Sequence, residues 1–241
     1  MRKWHKWLIG IVVLLAGLSG ACAVAVHQLT YQPSKTAEQA NQAATRKAYG
    51  DYFPAAKVGK PTVIFYPGAL VAPQSYSIWA KRVAACGYPV AIVKMPLNLA
   101  VLSGNAADKV ATSRAGYVIG GHSLGGVMAA RYAHNHPSAK LHGVYFMASY
   151  PDAKGSLKHT GVPVLSLTAS NDGVLNWSAW RKAKAYLPAD AQYKQLSGGN
   201  HAGFGSYGAQ RSDKPATISD AKQQHWIAAQ MIAWLKLTTN D

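Results

Sequence analysis

The sequence predicts an α/β chain, a mostly parallel sheet with helices on both faces. Three observations predict it. The 241 residues suit one ordinary domain plus a short appendage. Apolar residues make up 49% and charged residues 14%, so a sizeable core is available. From residue 51 onward, short apolar runs alternate with helical patterns.

The elements follow in order. Residues 62–67 (TVIFYP) form a β-branched run ended by Pro67-Gly68, a strand buried on both faces. Residues 74–86 read as a helix with Tyr76, Trp79, Val83 and Cys86 near one stripe. Residues 89–95 are a second strand, and 98–111 a weak helix interrupted by Ser103-Gly104-Asn105. A third strand at 116–121 leads into a helix at 124–137, closed by Pro137. Strands at 141–149 and 163–169, a helix at 176–187 and a strand at 191–197 come next. The last helix spans about 218–237, with Ile218, Trp226, Ile227, Met231, Trp234 and Leu235 apolar.

The N-terminus speaks to compartment. Residues 8–26 are 19 positions without a charge, roughly 28 Å as a helix and close to a bilayer's hydrocarbon thickness. Residues 1–7 hold Arg2, Lys3 and Lys6, with Trp4 and Trp7 suited to the headgroup level. Three cations before the segment outweigh Lys35 and Glu38 after it, which places the N-terminus in the cytoplasm and exports the rest. A cleaved signal peptide is the alternative, with Ala21-Cys22-Ala23 or Ala23-Val24-Ala25 as its site. The length of the stretch favours a retained, single-pass anchor. Cys22 fits a lipobox poorly, because Ser19 stands where Leu belongs. Residues 27–50 are polar and Ala/Gln-rich, a linker or loosely docked helix before a domain at 51–241.

Composition excludes several classes. Two cysteines rule out a disulfide scaffold and all-cysteine metal sites. Cys86 is then a free thiol packed at a helix end. Lys and Arg number 25 against 9 Asp and Glu, a balance of +16. That excess fits nucleic acid, an anionic membrane or an anionic surface polymer. The cations are diffuse, densest at Lys81-Arg82 and Arg181, Lys182, Lys184. No nucleic-acid motif accompanies them, so nucleic acid is not expected as a partner.

Gly121-His122-Ser123-Leu124-Gly125 fits G-x-S-x-G. The string alone is weak, but it joins a buried strand to a helix. A tight turn there lifts the serine Oγ clear, and the helix N-terminus aims N–H groups at a developing anion. A serine needs a base. In a parallel sheet the partners lie beyond the carboxyl ends of later strands. Asp172 follows the 163–169 strand and His201 follows the 191–197 strand, giving the order Ser, Asp, His. Asp152 is a reserve acid, whereas Asp190 begins a strand and so lies at the wrong end. His134, His136, His142, His159 and His225 lack the spacing or acidic neighbours for chemistry. For an oxyanion hole, Leu124 supplies one N–H; Ala69, with Leu70 as the alternative, supplies the other.

These residues together resemble the α/β-hydrolase superfamily: strand-Pro-Gly-Ala, Gly-His-Ser-Leu-Gly-Gly, Asn-Asp-Gly after a strand, and Gly-Asn-His-Ala-x-Phe-Gly. The likeness is nearest to compact members of the dienelactone-hydrolase and carboxylesterase branch, over about residues 52–237. The usual His-Gly after the first core strand is Pro67-Gly68 here. Ser123 stands where dienelactone hydrolases carry cysteine, so lactone specificity does not transfer. The resemblance implies acyl transfer by Ser123, His201 and Asp172 on a small-molecule ester, without metal or organic cofactor and without an obligate protein partner. A catalytically silent domain that binds a cell-envelope polymer is the alternative from another class; an acyltransferase or peptidase shares the triad. The resemblance also raises a lid between the 141–149 and 163–169 strands. Residues 150–162, with Pro151, Gly155 and Gly161, are too short for a helical cap. The loop 97–102 and the segment 204–217 are the other covers. The expectation is a shallow, open pocket lined by Leu70, Met95, Tyr150, Val174 and Phe204, suited to short acyl esters.

Overall fold

The structure, a computed structural model, describes residues 4, 5, 7, 11, 26, 28–56, 59–110 and 114–239. The expected anchor at 8–26 therefore lies outside the described residues, apart from Ile11 and Val26. No helix among the described residues is long and apolar enough to cross a membrane.

The central sheet has eight strands. They are β1 (Thr45–Lys47), β2 (Gly50–Phe53), β3 (Thr62–Tyr66), β4 (Val90–Val93), β5 (Tyr117–His122), β6 (Leu141–Met147), β7 (Val164–Ala169) and β8 (Gln192–Leu196). Their order is β1-β2-β4-β3-β5-β6-β7-β8. From β4 to β8 every pairing is parallel; β2 joins β4 antiparallel, and β1 joins β2 likewise. Parallel strands put all their carboxyl ends on one edge, where loops can gather a site.

Among the described residues, five α-helices from residue 35 onward complete the fold: α1 (Lys35–Asn41), α2 (Ser77–Ala85), α3 (Leu124–Asn135), α4 (Trp177–Ala183) and α5 (Asp220–Thr238). β3 to β7 are buried almost throughout. Alternate residues serve opposite faces, as the pleat requires. Val63, Phe65, Val118, Tyr145 and Leu165 pack with Trp79 and Val83 of α2 and Ile227, Met231 and Trp234 of α5. Ile64, Tyr66, Ile119, Val144 and Phe146 pack with Ala129, Ala130 and Ala133 of α3. Phe65 holds the first layer together, with its ring 4.5 Å from Tyr76 and 5.0 Å from Trp79.

Three expectations need correction. Of the expected linker at 27–50, the described residues 28–50 are folded into the domain. Ser34 caps α1, Ala37 is buried, and β1 and β2 extend the sheet. β1 is polar and exposed and β2 has only four residues, so neither gave the long apolar signal of a buried strand. The 98–111 helix is three short 3-10 turns, Pro96–Asn98, Ala100–Leu102 and Ala106–Lys109. Cys86 sits at the end of α2 as expected, but it is exposed.

The start of α3 lies hard against the end of β3. A Cβ at Gly125 would stand 2.1 Å from the Tyr66 carbonyl oxygen and 2.4 Å from that of Pro67. Backbone cannot yield as a flexible side chain would. Gly125→Ala is therefore expected to cost about 2–4 kcal/mol of folding stability, read by urea unfolding. A loss under ~1 kcal/mol would show that the two elements can separate freely.

Candidate active site

Ser123 occupies the turn between β5 and α3. Its φ is 51° and ψ −124°, a conformation that L-residues avoid. Such strain costs about 1–3 kcal/mol and persists only where the surroundings impose it. Here they do. The Ser123 N–H donates to Met147 O at 3.0 Å, and its carbonyl accepts from Ser149 Oγ at 2.6 Å and from Gly126 N–H at 3.0 Å.

Asp172 and His201 meet at the same edge. Both are about 1% exposed. His201 Nδ1 lies 2.8 Å from Asp172 Oδ2, and the other carboxylate oxygen accepts from Val174 N–H at 2.9 Å and Leu175 N–H at 2.7 Å. With Nδ1–H donating to the carboxylate, Nε2 keeps its lone pair. That nitrogen is buried and has no hydrogen-bond partner. Ser123 and His201 line one cleft of about 260 Å³ with Leu124, Tyr150 and Val174. The structure contains no Ser123–His201 hydrogen bond.

The other expected residues sort as follows. Asp152, the reserve acid, is occupied by Arg131, whose Nε lies 3.1 Å from Oδ2 and whose terminal nitrogen also bonds it. Arg131 holds its carboxyl below the usual range. Met95 is buried and lines a separate cleft with Lys94 and Leu97. Phe204 is fully buried beneath His122, with ring centroids 5.8 Å apart. Leu70 is half-buried, with φ 55°. Neither the 150–162 linker nor the 204–217 segment makes a large lid.

Backbone donors can be assigned by elimination. Gly68 N–H donates to Tyr76 Oη at 3.0 Å, Leu70 N–H to Asn98 O at 2.9 Å, and Val71 N–H to Gly68 O at 3.3 Å. These bonds leave Ala69 N–H and, at the first position of α3, Leu124 N–H uncommitted.

Sequence reasoning passed over four supports. Asp213 accepts from Gly173 N–H at 2.9 Å and from Ala202 N–H at 2.8 Å. It thereby ties the Asp172 loop to the His201 loop. Buried Gln223 grips the Asn200 backbone, accepting from its N–H at 3.1 Å and donating to its carbonyl at 2.8 Å. The Tyr76 hydroxyl accepts from Gly68 N–H and shares a hydrogen bond with His122 Nδ1 at 3.0 Å. His122 stands under His201, with ring centroids 4.5 Å apart. His122 was visible inside the motif; Asp213 and Gln223 act through backbone contacts that leave no pattern in sequence.

A sequence profile of the α/β-hydrolase family matches residues 62–225, and the chain belongs to that family. No curated protein matches the sequence as a whole. Among solved structures, an α/β-hydrolase enzyme from a sediment metagenome of the Mar Chica lagoon, Morocco, is 14% identical. It superposes with a TM-score of 0.57 over 80% of this chain and 97% of its own. Dienelactone hydrolase from Anabaena variabilis is also 14% identical, with a TM-score of 0.57 over 79% and 93%. The esterase domain of a Rhodothermus marinus protein is 10% identical, with a TM-score of 0.55 over 76% and 90%. These likenesses show the fold: an α/β-hydrolase sheet and, with the family match, a hydrolase.

Burial pushes the His122 imidazole well below its ordinary value, and neighbouring His201 adds to the shift. Below about pH 6.5 the unfolded chain binds a proton at His122 that the native protein refuses. Stability is therefore present above pH 6.5 and falls on acidification by about 1.4 kcal/mol per pH unit. His122→Asn should remove that component of the slope. An equally steep loss in the variant, or NMR titration of the His122 ring near pH 6.5, would contradict this.

Proposed function

We propose that the chain is an exported serine hydrolase that cleaves short acyl esters through an acyl-enzyme. Its carrying observation is the buried Asp172–His201 pair, whose unpartnered Nε2 shares the Ser123 cleft. A buried base with an unused lone pair is what a serine nucleophile requires.

On this reading, Ser123 Oγ attacks the ester carbonyl while His201 Nε2 takes its proton. Asp172 holds the imidazole in the right tautomer and stabilises the imidazolium. The neutral state of His122 matters here, because a second cation 4.5 Å away would oppose that charge. Ala69 and Leu124 N–H groups receive the oxyanion as the carbonyl carbon becomes tetrahedral. His201 returns its proton to the leaving alcohol, then activates water to release the acid. The open 260 Å³ cleft suits a small acyl group. The uncharged stretch at 8–26 with Arg2, Lys3 and Lys6 before it supports a single-pass anchor with the domain outside the cytoplasm.

Hydrolysis of p-nitrophenyl esters of increasing chain length tests the reading, with turnover expected to peak at short acyl groups. Ser123→Ala and His201→Ala should each lower kcat by about 10⁴–10⁶-fold. Asp172→Asn should lower it by about 10⁴-fold through the wrong tautomer, and Asp152→Asn should stay within about tenfold, its carboxylate being engaged by Arg131. Full activity in Asp172→Asn would move the acid role elsewhere. Inactivity of the wild type on every ester and amide would favour a silent binding domain.

A further inference from the structure

We infer that the carboxyl edge of the sheet docks on the surface of the bilayer that the N-terminal segment enters, so that the Ser123 cleft takes esters carried by membrane-held amphiphiles. The inference rests on the preceding reading for its reaction and for its anchor.

The first observation is where apolar side chains are left in water. Beyond residue 11, the exposed large apolar residues among those described are Leu29, Leu97, Val101, Leu102 and Leu237. Leu97, Val101 and Leu102 are 48–54% exposed. They sit on the loop after β4, at the same sheet edge as Ser123 after β5; only β3 separates the two strands. The loop packs on the nucleophile helix, where Gly104 faces Met128 of α3. Leu237 lies at the other edge, beside Thr238 and Thr239. Those two line a cleft with Lys60, Gly116 and Lys140, which precede β3, β5 and β6.

The second observation is strain. Leu97 and Asn98 are consecutive non-glycine residues in the left-handed region, at φ 52° and 54°. The bend holds Leu97 outward while Asn98 O receives the Leu70 N–H beside the Ala69 donor. Such a bend persists only where the surroundings impose it, here the bonds of Asn98 to Leu70 and Thr30.

The third is how the chain arrives. Tyr31 N–H donates to Leu70 O at 2.7 Å, Ala72 N–H donates back to Tyr31 O at 3.0 Å, and Asn98 Nδ2 donates to Thr30 Oγ1 at 3.2 Å. Val26, the last residue of the uncharged stretch, lines a cleft with Leu97 and Asn98. Four residues therefore separate that stretch from Tyr31, a fixed point on the edge bearing Ser123, too short a tether to turn the edge away from the membrane. Lys94 and Lys109 flank the apolar loop. Apolar tips flanked by two lysines suit insertion among anionic headgroups. The cleft then receives a short acyl group while the amphiphile's own chain stays in the bilayer.

The full chain in vesicles of phosphatidylcholine and phosphatidylglycerol gives the test. Two substrates are compared, soluble p-nitrophenyl acetate and vesicle-embedded 1-hexadecyl-2-acetylglycerol. The Leu97→Asn, Leu102→Asp double variant should lower kcat/KM on the embedded ester about tenfold or more and leave the soluble ester within about twofold. Leu237→Asp should change neither. Asparagine tolerates the left-handed backbone, so Leu97→Asn alone guards against misfolding. Docking is also read without catalysis. A nitroxide on Leu102→Cys, with Cys22→Ala and Cys86→Ser, should meet lipid-dissolved oxygen more than an aqueous nickel complex, and one on Leu237→Cys the reverse. Equal effects on both substrates, or a water-facing label at 102, overturn the inference. If neither ester is cleaved while the 102 label lies in lipid, the esterase reading fails and the docking stands.

Discussion

The close approach of α3 to the end of β3 is the constraint on which the site depends. The Tyr66 and Pro67 carbonyls occupy the space that any side chain at Gly125 would need, and Tyr66 O likewise stands 2.5 Å from a Cβ at Gly121. Only glycine on both sides of the serine lets the helix start that close to the neighbouring strand. Ser123 is thereby driven into its left-handed conformation, and Leu124 N–H comes to the same place as the loop after β3. The positions of the Ser123 side chain and the Leu124 N–H thus follow from one packing distance. The core behind them, centred on Phe65, keeps that distance fixed.

His201 is held by a different device. Its loop is irregular, so backbone bonds from side chains take the place of a helix or strand. Asp213 joins the Asp172 loop to the His201 loop, Gln223 mimics a peptide group against Asn200, and Asp172 spends one oxygen on its own turn. Each is a charged or amide group accepting from backbone N–H at short range, the stronger sort of hydrogen bond in a buried setting. Beneath lies His122, tied through Tyr76 to Gly68, with burial pushing its imidazole well below its ordinary value. The imidazole of His201 therefore has a carboxylate on one side and, below it, a ring whose charged form burial disfavours.

The parts legible in the sequence are those encoded locally. Continuous apolar runs announced β3 to β7, because strands buried on both faces need no alternation. The G-x-S-x-G turn was readable from its strand-to-helix setting, and Asp172 from its place after β7. The hairpin of β1 and β2 was not: its strands are three and four residues long, β1 is polar, and β2 pairs with β4, some 40 positions away. The turns at 96–109 have helix-like composition, but left-handed Leu97 and Asn98 break the ladder, a consequence of tertiary bonds to Leu70 and Thr30. Met95 and Phe204 followed strands or loops at the right edge, yet their side chains turned inward to the core, a direction that spacing does not reveal.

The central claim is that Ser123 is a nucleophile made reactive by His201. Fluorophosphonate labelling followed by peptide mass spectrometry measures this directly, because only an activated serine forms the adduct at a useful rate. The account predicts a single covalent adduct on the peptide containing Ser123, abolished by Ser123→Ala and slowed by orders of magnitude in folded His201→Ala. An unlabelled wild-type protein, or equal labelling of Ser123 in His201→Ala, would contradict it.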